Sequence, residues 1–253
     1  MGKLESKVAV ITGATGGIGA AMAEEFAKEG ARIVVVGTNE ERGQKTVDTV
    51  KSHGGSAIFR KTDLSSTADL QGLVDDAVAA FGKIDILVNN AGADDPITWS
   101  PEDVTEEEYD RVMSVNAKIP FFLSQKVAPI MKANGGGAII NTASIASTGA
   151  GRGPIIYTIS KHAILGVTRQ LAFYYGHDNI RVNCIEPGYI ATRMVKAAMQ
   201  DDSIPFVPLV KASPAERAGE PSEIARVAVF LASDDASFLH GAEICADGGF
   251  TLI

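Results

Sequence analysis

Short, continuous apolar runs recur along this chain, each followed by a segment of helical periodicity. "KVAVIT" (7–12), "RIVVVG" (32–37), "SAIFRKTDL" (56–64), "IDILVNNAG" (84–92), "GAIINTAS" (137–144), "NIRVNCIEPG" (179–188) and "GAEICADGG" (241–249) are the seven runs. Between them lie helical patterns over 17–30, 39–53, 67–82, 105–134, the stretch carrying Tyr157 as far as about 175, and 221–233. Strands that alternate apolar with polar residues expose one face. Runs that stay apolar are buried on both faces, which requires a parallel sheet with helices on either side. The spacing therefore predicts an α/β, doubly wound architecture of about seven strands. No linker, low-complexity tract or internal repeat interrupts it, so residues 1–253 read as one domain.

The balance of charge narrows the partners. Asp and Glu number 31 against 23 Lys and Arg, giving a net charge of −8 without any Lys/Arg-rich run. That argues against nucleic acid and anionic membranes as partners. No apolar run reaches the ~20 residues that span a bilayer. The N-terminal "MGKLESKVAVITG" lacks the apolar core and small-residue cleavage site of a secretory signal. Cys184 and Cys245 are too few for a disulfide framework and form no CxxC pair, so neither disulfides nor a metal site is expected. A cytoplasmic protein is expected.

The first strand runs into "ITGATGGIGAAM". Glycines between a strand and a helix let backbone approach a ligand closely, and the helix N-terminus offers free N–H groups to a pyrophosphate. Gly13, Gly17 and Gly19 are the essential positions, with Thr15 and Ile18 between them. The spacing is TGxxxGxG, longer between its first glycines than the GxGxxG form. In the first β–α unit it makes the fold Rossmann-type and points to a dinucleotide. The ribose-reading position after the second strand carries "VVVGTNEER". Gly37 and Thr38 are neither the acid that holds an NAD ribose nor a base that suits NADP. Thr38, Asn39 and backbone N–H groups can bond either form, and Arg42 can reach a 2′-phosphate. NADP and NAD both stay open, with the missing acid leaning toward NADP.

"GPIIYTISKHAI" (153–164) places Tyr157 four residues before Lys161, on one helix face. By itself this spacing also fits a surface contact. In register with it stand "TGATGGIG" (12–19), "NNAG" (89–92), Asn116 in "VMSVNAK", Ser144 in "NTASIAS" and "PGYIAT" (187–192). Together these resemble the short-chain dehydrogenases/reductases along essentially the whole chain. The resemblance implies an NAD(P)-dependent oxidoreductase that moves a hydride between nicotinamide and a secondary alcohol or its ketone. It implies a catalytic set of Asn116, Ser144, Tyr157 and Lys161. Tyr157 is then the acid/base, Ser144 bonds the substrate oxygen, and Asn116 holds a relay water. Lys161 lowers the Tyr157 pKa and holds the nicotinamide ribose. Asp63 and Leu64 would lie at the adenine, Asn89 near its ribose, and Asn90, Ala91 and Gly92 along the cofactor. Pro187, Gly188, Ile190 and Thr192 would surround the nicotinamide.

Substrate choice falls to loops at the strand ends. Ser144, Ile145, Tyr157 and Tyr189 are the expected substrate residues, with Trp99, Met194 and Phe206 adding an apolar wall. Residues 189–215 read as a lid. Two other functions fit the scaffold. One is a 3-oxoacyl thioester reductase, for which Arg152, Arg193, Lys196 and Lys211 are the available cations. The other is a non-catalytic nucleotide-binding member, which would have no use for an intact catalytic set. The family likeness also implies a homotetramer, and the acid pairs such as Asp94–Asp95 read as solvated surface.

Overall fold

A computed structural model describes residues 2–97, 99–192, 195 and 206–252. Seven parallel strands form one sheet: β1 (Val8–Thr12), β2 (Arg32–Gly37), β3 (Ser56–Lys61), β4 (Ile86–Asn89), β5 (Gly137–Thr142), β6 (Ile180–Pro187) and β7 (Glu243–Ala246). Their spatial order is β3-β2-β1-β4-β5-β6-β7. The register is continuous from Val8 opposite Arg32 to Cys184 opposite Glu243. The expected double winding is therefore present.

Helices α1 (Gly17–Lys28), α2 (Glu40–Ser52), α3 (Leu70–Phe81), α4 (Glu106–Met113), α5 (Ile119–Ala133), α6 (Ile155–Tyr175), α7 (Phe206–Ala212) and α8 (Pro221–Ala232) complete the described elements. Alternate strand residues feed two cores. Ala9, Ile11, Ile33 and Val35 meet Met22 and Phe26 of α1 and Ile224 and Ala228 of α8. Val10, Val34, Leu87 and Ile139 meet Leu73 of α3, Leu123 and Val127 of α5 and Leu171 of α6. Burial on both faces explains why the strands carry no alternation.

One expected helix is divided. The pattern over 105–134 reads as a single helix, whereas Ser114–Lys118 forms a π turn between α4 and α5. Pro120 has no N–H to give to the Asn116 carbonyl four residues earlier, which disfavours an ordinary α turn there. The turn buries Asn116.

Strand order reverses between β1 and β4, whose chain continuations run in opposite directions across the sheet. In open sheets of this kind a crevice forms at that switch point, outside the carboxyl ends of the strands.

Candidate active site

A cavity of about 760 Å³ opens at this switch point. Its floor is the glycine turn: Gly13, Thr15, Gly16, Gly17 and Ile18. A Cβ on Gly13 would stand 2.8 Å from the Ala91 Cα, and one on Gly19 2.5 Å from the Gly13 carbonyl oxygen. The glycines thus close the turn against the end of β4. Around Gly16 the space is open. The N-terminus of α1 has no side-chain cap and no acid in its first turn. Its free N–H groups and positive dipole end therefore face the cavity, the arrangement that holds a pyrophosphate. Thr12 clamps the opposite wall, its hydroxyl accepting from the Asn90 and Ala91 amides at 2.9 and 3.0 Å.

Asn90, Ala91, Gly92, Pro187, Gly188, Ile190 and Thr192 line the same cavity, as do Ser144, Tyr157, Lys161 and Arg42. The residues expected along a bound dinucleotide are therefore gathered at one crevice, with exceptions. Asp63, Leu64, Thr38 and Asn39 do not line it. Asp63 accepts from the Ser65 amide, which lowers its pKa. Leu64 is buried, and the Asn39 side-chain oxygen caps α2 by accepting from the Arg42 amide at 2.9 Å. Asn89 departs furthest from expectation. Its amide nitrogen donates to Asn141 at 2.9 Å and to Ser124 at 3.2 Å in a buried network, so it faces helix α5 rather than a ribose. Being the last residue of β4, it points to the opposite face from Asn90.

The reacting end is built from three elements. Ser144 follows β5 and opens the Ile145–Ser147 turn, with its hydroxyl accepting from the Ala146 amide. Tyr157 and Lys161 lie one turn apart on α6, with Nζ 5.3 Å from the centre of the phenol ring. Lys161 is buried and donates to the Thr142 carbonyl at 2.7 Å. Asn116 accepts from the Ala93 amide at 2.8 Å and donates to the Ala93 carbonyl at 2.7 Å and to Ser160 Oγ at 2.8 Å. Its side chain is thus spent on bracing the loop after β4 against α6.

The titration of this group differs from the expectation that the lysine depresses the phenol. Burial pushes the Tyr157 pKa up, a side-chain hydrogen bond with Ser144 opposes that rise, and the Asp94 charge adds to it. Burial lowers Lys161 to about 8. Desolvation disfavours the charged form of each group.

Among the expected substrate residues, Ile145 is buried inside its turn and does not reach the cavity. Tyr189 packs edge-on against Phe250, ring centres 5.1 Å apart, and also lies off the cavity. Trp99 is likewise absent from the lining. Arg193, Met194 and Lys196 lie outside the described residues, as does the side chain of Phe206. Of the acid pair read as solvated surface, Asp94 is exposed as expected and Asp95 is not. Asp94 lines the cavity. Asp95 is 4% exposed and accepts from the Ile156 and Tyr157 amides at 3.0 and 2.8 Å, capping α6 from 61 and 62 residues away. Pro154 stands at the cap position of α6 with no side chain to serve it. That was the legible signal of a missing cap.

Matches to known proteins agree with this geometry. A family model described as enoyl-(acyl carrier protein) reductase matches residues 13–251. The chain belongs to the short-chain dehydrogenase/reductase family. Cyclohexanol dehydrogenase of Acinetobacter sp. (strain SE19) is 37% identical, over 98% of this chain and 96% of that protein. The structure of a 7α-hydroxysteroid dehydrogenase complexed with NADH and 7-oxo glycochenodeoxycholic acid superposes with a TM-score of 0.91. It is 38% identical, over 97% of this chain and 94% of that one. A Beutenbergia cavernae structure with NADP bound at low occupancy also has a TM-score of 0.91, at 34% identity over 99% and 98% of the two chains. As a member of this family the protein is an NAD(P)-dependent oxidoreductase of the secondary alcohol/ketone class. Among the described residues no helix is long and apolar enough to cross a membrane, and no group of His, Cys, Asp and Glu is placed to hold a metal.

Proposed function

We propose that this enzyme interconverts a small secondary alcohol and its ketone, with Tyr157 as the acid/base. The observation that carries the reading is that Ser144, Tyr157 and Lys161 line the same glycine-floored cavity, with the Lys161 Nζ 5.3 Å from the centre of the phenol ring. Nicotinamide, when bound, supplies the hydride acceptor or donor. Ser144 holds the substrate oxygen beside the phenol. Tyr157 takes the hydroxyl proton during oxidation and returns it during reduction. Lys161 has two ammonium protons beyond the one given to Thr142, which would be free to bond the ribose of a bound nicotinamide nucleotide. Asn116 acts through the π turn, holding Ala93 and Ser160 so that the loop after β4 keeps its place against α6. Replacing Tyr157 by Phe keeps the ring and removes the transferable proton. Turnover should fall by orders of magnitude while cofactor affinity, read by nicotinamide fluorescence, stays within about twofold. Wild-type turnover in Tyr157→Phe would overturn the role.

The finer properties follow from the same cavity. NADP is favoured, because Arg42 lines the cavity and the acid among its described lining residues is Asp94, on the loop after β4, not one beside Arg42. A Cβ at Gly37 would lie 2.5 Å from Thr15 Cγ2, so an acid at that position displaces Thr15. A charge-assisted phosphate contact exceeds a neutral one by about 1 kcal/mol or more, or roughly tenfold in affinity. Comparison of kcat/KM for the two cofactors tests this, and Gly37→Asp combined with Thr15→Ser should swing preference to NAD. A wild type that prefers NAD a hundredfold would overturn it. One domain, residues 189–215 as lid, of which 193–194 and 196–205 lie outside the described residues, and a cytoplasmic setting for two free cysteines complete the reading. Assembly as a homotetramer is supported by Ile159, Phe173 and Tyr174, which stand exposed on α6. A monomeric mass by light scattering at micromolar concentration would end that part.

A further inference from the structure

Behind Ser144 lies a buried carboxyl that the reaction described above does not use. The turn Ile145–Ser147 that follows Ser144 is held largely by its own backbone. The Ser147 amide donates to the Ser144 carbonyl at 2.8 Å and the Thr148 amide to the Ile145 carbonyl at 3.2 Å. Among the described residues, one side-chain contact joins this turn to the sheet. The Ser147 hydroxyl stands 2.8 Å from Glu186 Oε1 on β6, and it also lies in hydrogen-bond contact with the Ser144 carbonyl. Ser147 and Glu186 are both buried, each 4% exposed. Arg169 on α6 is engaged by Glu243 at 3.0 Å, and Glu186 has no ion-pair partner among the described residues. The other titratable groups around it are Cys184 on its own strand, Glu243 and Cys245 on β7, and Asp247 just beyond β7. None of these four brings a positive charge.

Three oxygens meet here: the Ser144 carbonyl, the Ser147 hydroxyl and Glu186 Oε1. Their two close contacts need two protons, and Ser147 has one to give. The carboxyl is the remaining source. We propose that Glu186 is a positioning residue for the alcohol/ketone reaction: as the carboxylic acid it donates to Ser147, which commits the Ser147 proton to the Ser144 carbonyl and holds the turn carrying the Ser144 hydroxyl against β6. This rests on the reading of Ser144 as the group that bonds the substrate oxygen. Burial and the charges of Glu243 and Asp247 favour the acid form, against the opposing charge of Arg169. On ionisation the carboxylate becomes the stronger acceptor and draws the Ser147 proton to itself. The Ser144 carbonyl then keeps the Ser147 amide alone, and the hold on the Ser144 turn slackens.

The experiment measures kcat for oxidation of cyclohexanol and 2-butanol, with both cofactors, from about pH 5 to about pH 9. It uses wild type, Glu186→Gln, Glu186→Leu and Ser147→Ala, and Ser147→Ala combined with each Glu186 change. The glutamine amide still donates to Ser147 and cannot ionise. The ratio of Glu186→Gln to wild type should therefore be near one at low pH and rise as wild type loses its acid. Taking the ratio cancels the ionisation of Tyr157, which the two proteins share. Glu186→Leu supplies no donor and should lower kcat about 3- to 10-fold at the acid end, the range of one neutral hydrogen bond, and Ser147→Ala should fall as far. Cofactor affinity by nicotinamide fluorescence should stay within about twofold in every variant, which separates a shift of Ser144 from a collapse of the site. In the Ser147→Ala background neither Glu186 change should alter kcat further, because the link between them is gone. A Glu186→Gln ratio that stays flat or falls with pH would overturn the inference, as would a Glu186→Leu effect that persists in Ser147→Ala. Either result leaves the alcohol/ketone reading in place. Should the leucine variant fail to fold, the glutamine ratio and its loss in Ser147→Ala decide. A wild type that oxidises neither alcohol with either cofactor would overturn the functional reading and this inference with it.

Discussion

Lys161→Met should make the protein more stable while abolishing its use. Lys161 is 3% exposed and its ammonium has one partner, the Thr142 carbonyl at 2.7 Å. Burial lowers its pKa from 10.5 to about 8. A tenfold change in proton affinity is worth about 1.4 kcal/mol, so a fall of that size corresponds to roughly 3 kcal/mol of folding free energy given up to hold the charge. Methionine nearly matches the shape of the stem and carries no charge. It forfeits the bond to Thr142, worth about 1 kcal/mol. The net gain expected near pH 7 is about 2 kcal/mol, or several degrees in Tm for a chain of this length. The sign of the pH dependence is fixed by linkage. Below about pH 8 the lysine is charged in both the folded and the unfolded chain, and the penalty is complete. Between about pH 8 and 10.5 the unfolded chain binds the proton and the folded one does not, so stability rises with pH and the penalty fades. Urea denaturation of both proteins at pH 7 and pH 9.5 reads this directly. The stability gap should shrink at the higher pH, and cofactor affinity of the variant should be lost. A variant less stable than wild type at pH 7, or a gap that widens with pH, would refute the reasoning.

Arg181 is buried in β6 and donates to the carbonyls of Leu231 and Ala232 at the end of α8 and of Ser233 and Ala236 just beyond it. Arg181→Met should cost about 2–4 kcal/mol by leaving those acceptors unpaired, read as a lower urea midpoint. Ser147 has one hydroxyl proton for two acceptors, the Ser144 carbonyl and Glu186 Oε1, which is resolved if buried Glu186 carries the proton, in keeping with its raised pKa. Stability from such an acid is complete below its unfolded pKa and is lost as pH rises through its folded one, so Glu186→Gln should gain on wild type as pH rises above about 4.5 in the same assay. Asp95→Ala should cost about 1–2 kcal/mol by uncapping α6, and should lower kcat more than it weakens cofactor binding, because Tyr157 sits in the first turn of that helix.

The sheet was legible because its signal is repeated. Seven continuous apolar runs admit few arrangements, and each appears as a strand within a few residues of its expected ends. The grouping of Ser144, Tyr157 and Lys161 was legible for a different reason: they lie at a strand end and on one face of one helix, so local spacing implies spatial neighbourhood. What sequence does not carry is the direction of a side chain in a short strand end. Asn89 and Asn90 are adjacent and chemically alike, yet one joins a core network with Ser124 and Asn141 and the other walls the cavity. Long-range capping is equally silent. Nothing in "ADDPITW" says that Asp95 reaches the amides of residues 156 and 157. The π turn was half visible, since Pro120 could be read as a helix start or as the cause of a bulge.

The pair of raised and lowered pKa values places a constraint on how the site works. Tyr157 is held toward its neutral phenol and Lys161 toward its neutral amine by the same desolvation. A neutral phenol does not suit a residue that is to accept a proton near neutral pH, although Lys161, lowered to about 8, still carries its charge there. Ser144 is the described group whose hydrogen bond favours the phenolate, and Asp94 works against it. The protein's own residues therefore leave the acid/base short of its working state, and positive charge brought in with the substrate pair has to supply the difference. An oxidised nicotinamide is a cation and a reduced one is neutral. Proton uptake by Tyr157 should for that reason be favoured in the direction of alcohol oxidation. The pH profile for oxidation should rise toward alkaline pH with an apparent pKa below that of Tyr157 in the free enzyme. Ultraviolet titration of phenolate in the free protein, set against the pH dependence of kcat for oxidation, measures both. Equal values in the two experiments would mean that the bound cofactor leaves the phenol unchanged, and that the protein alone activates it.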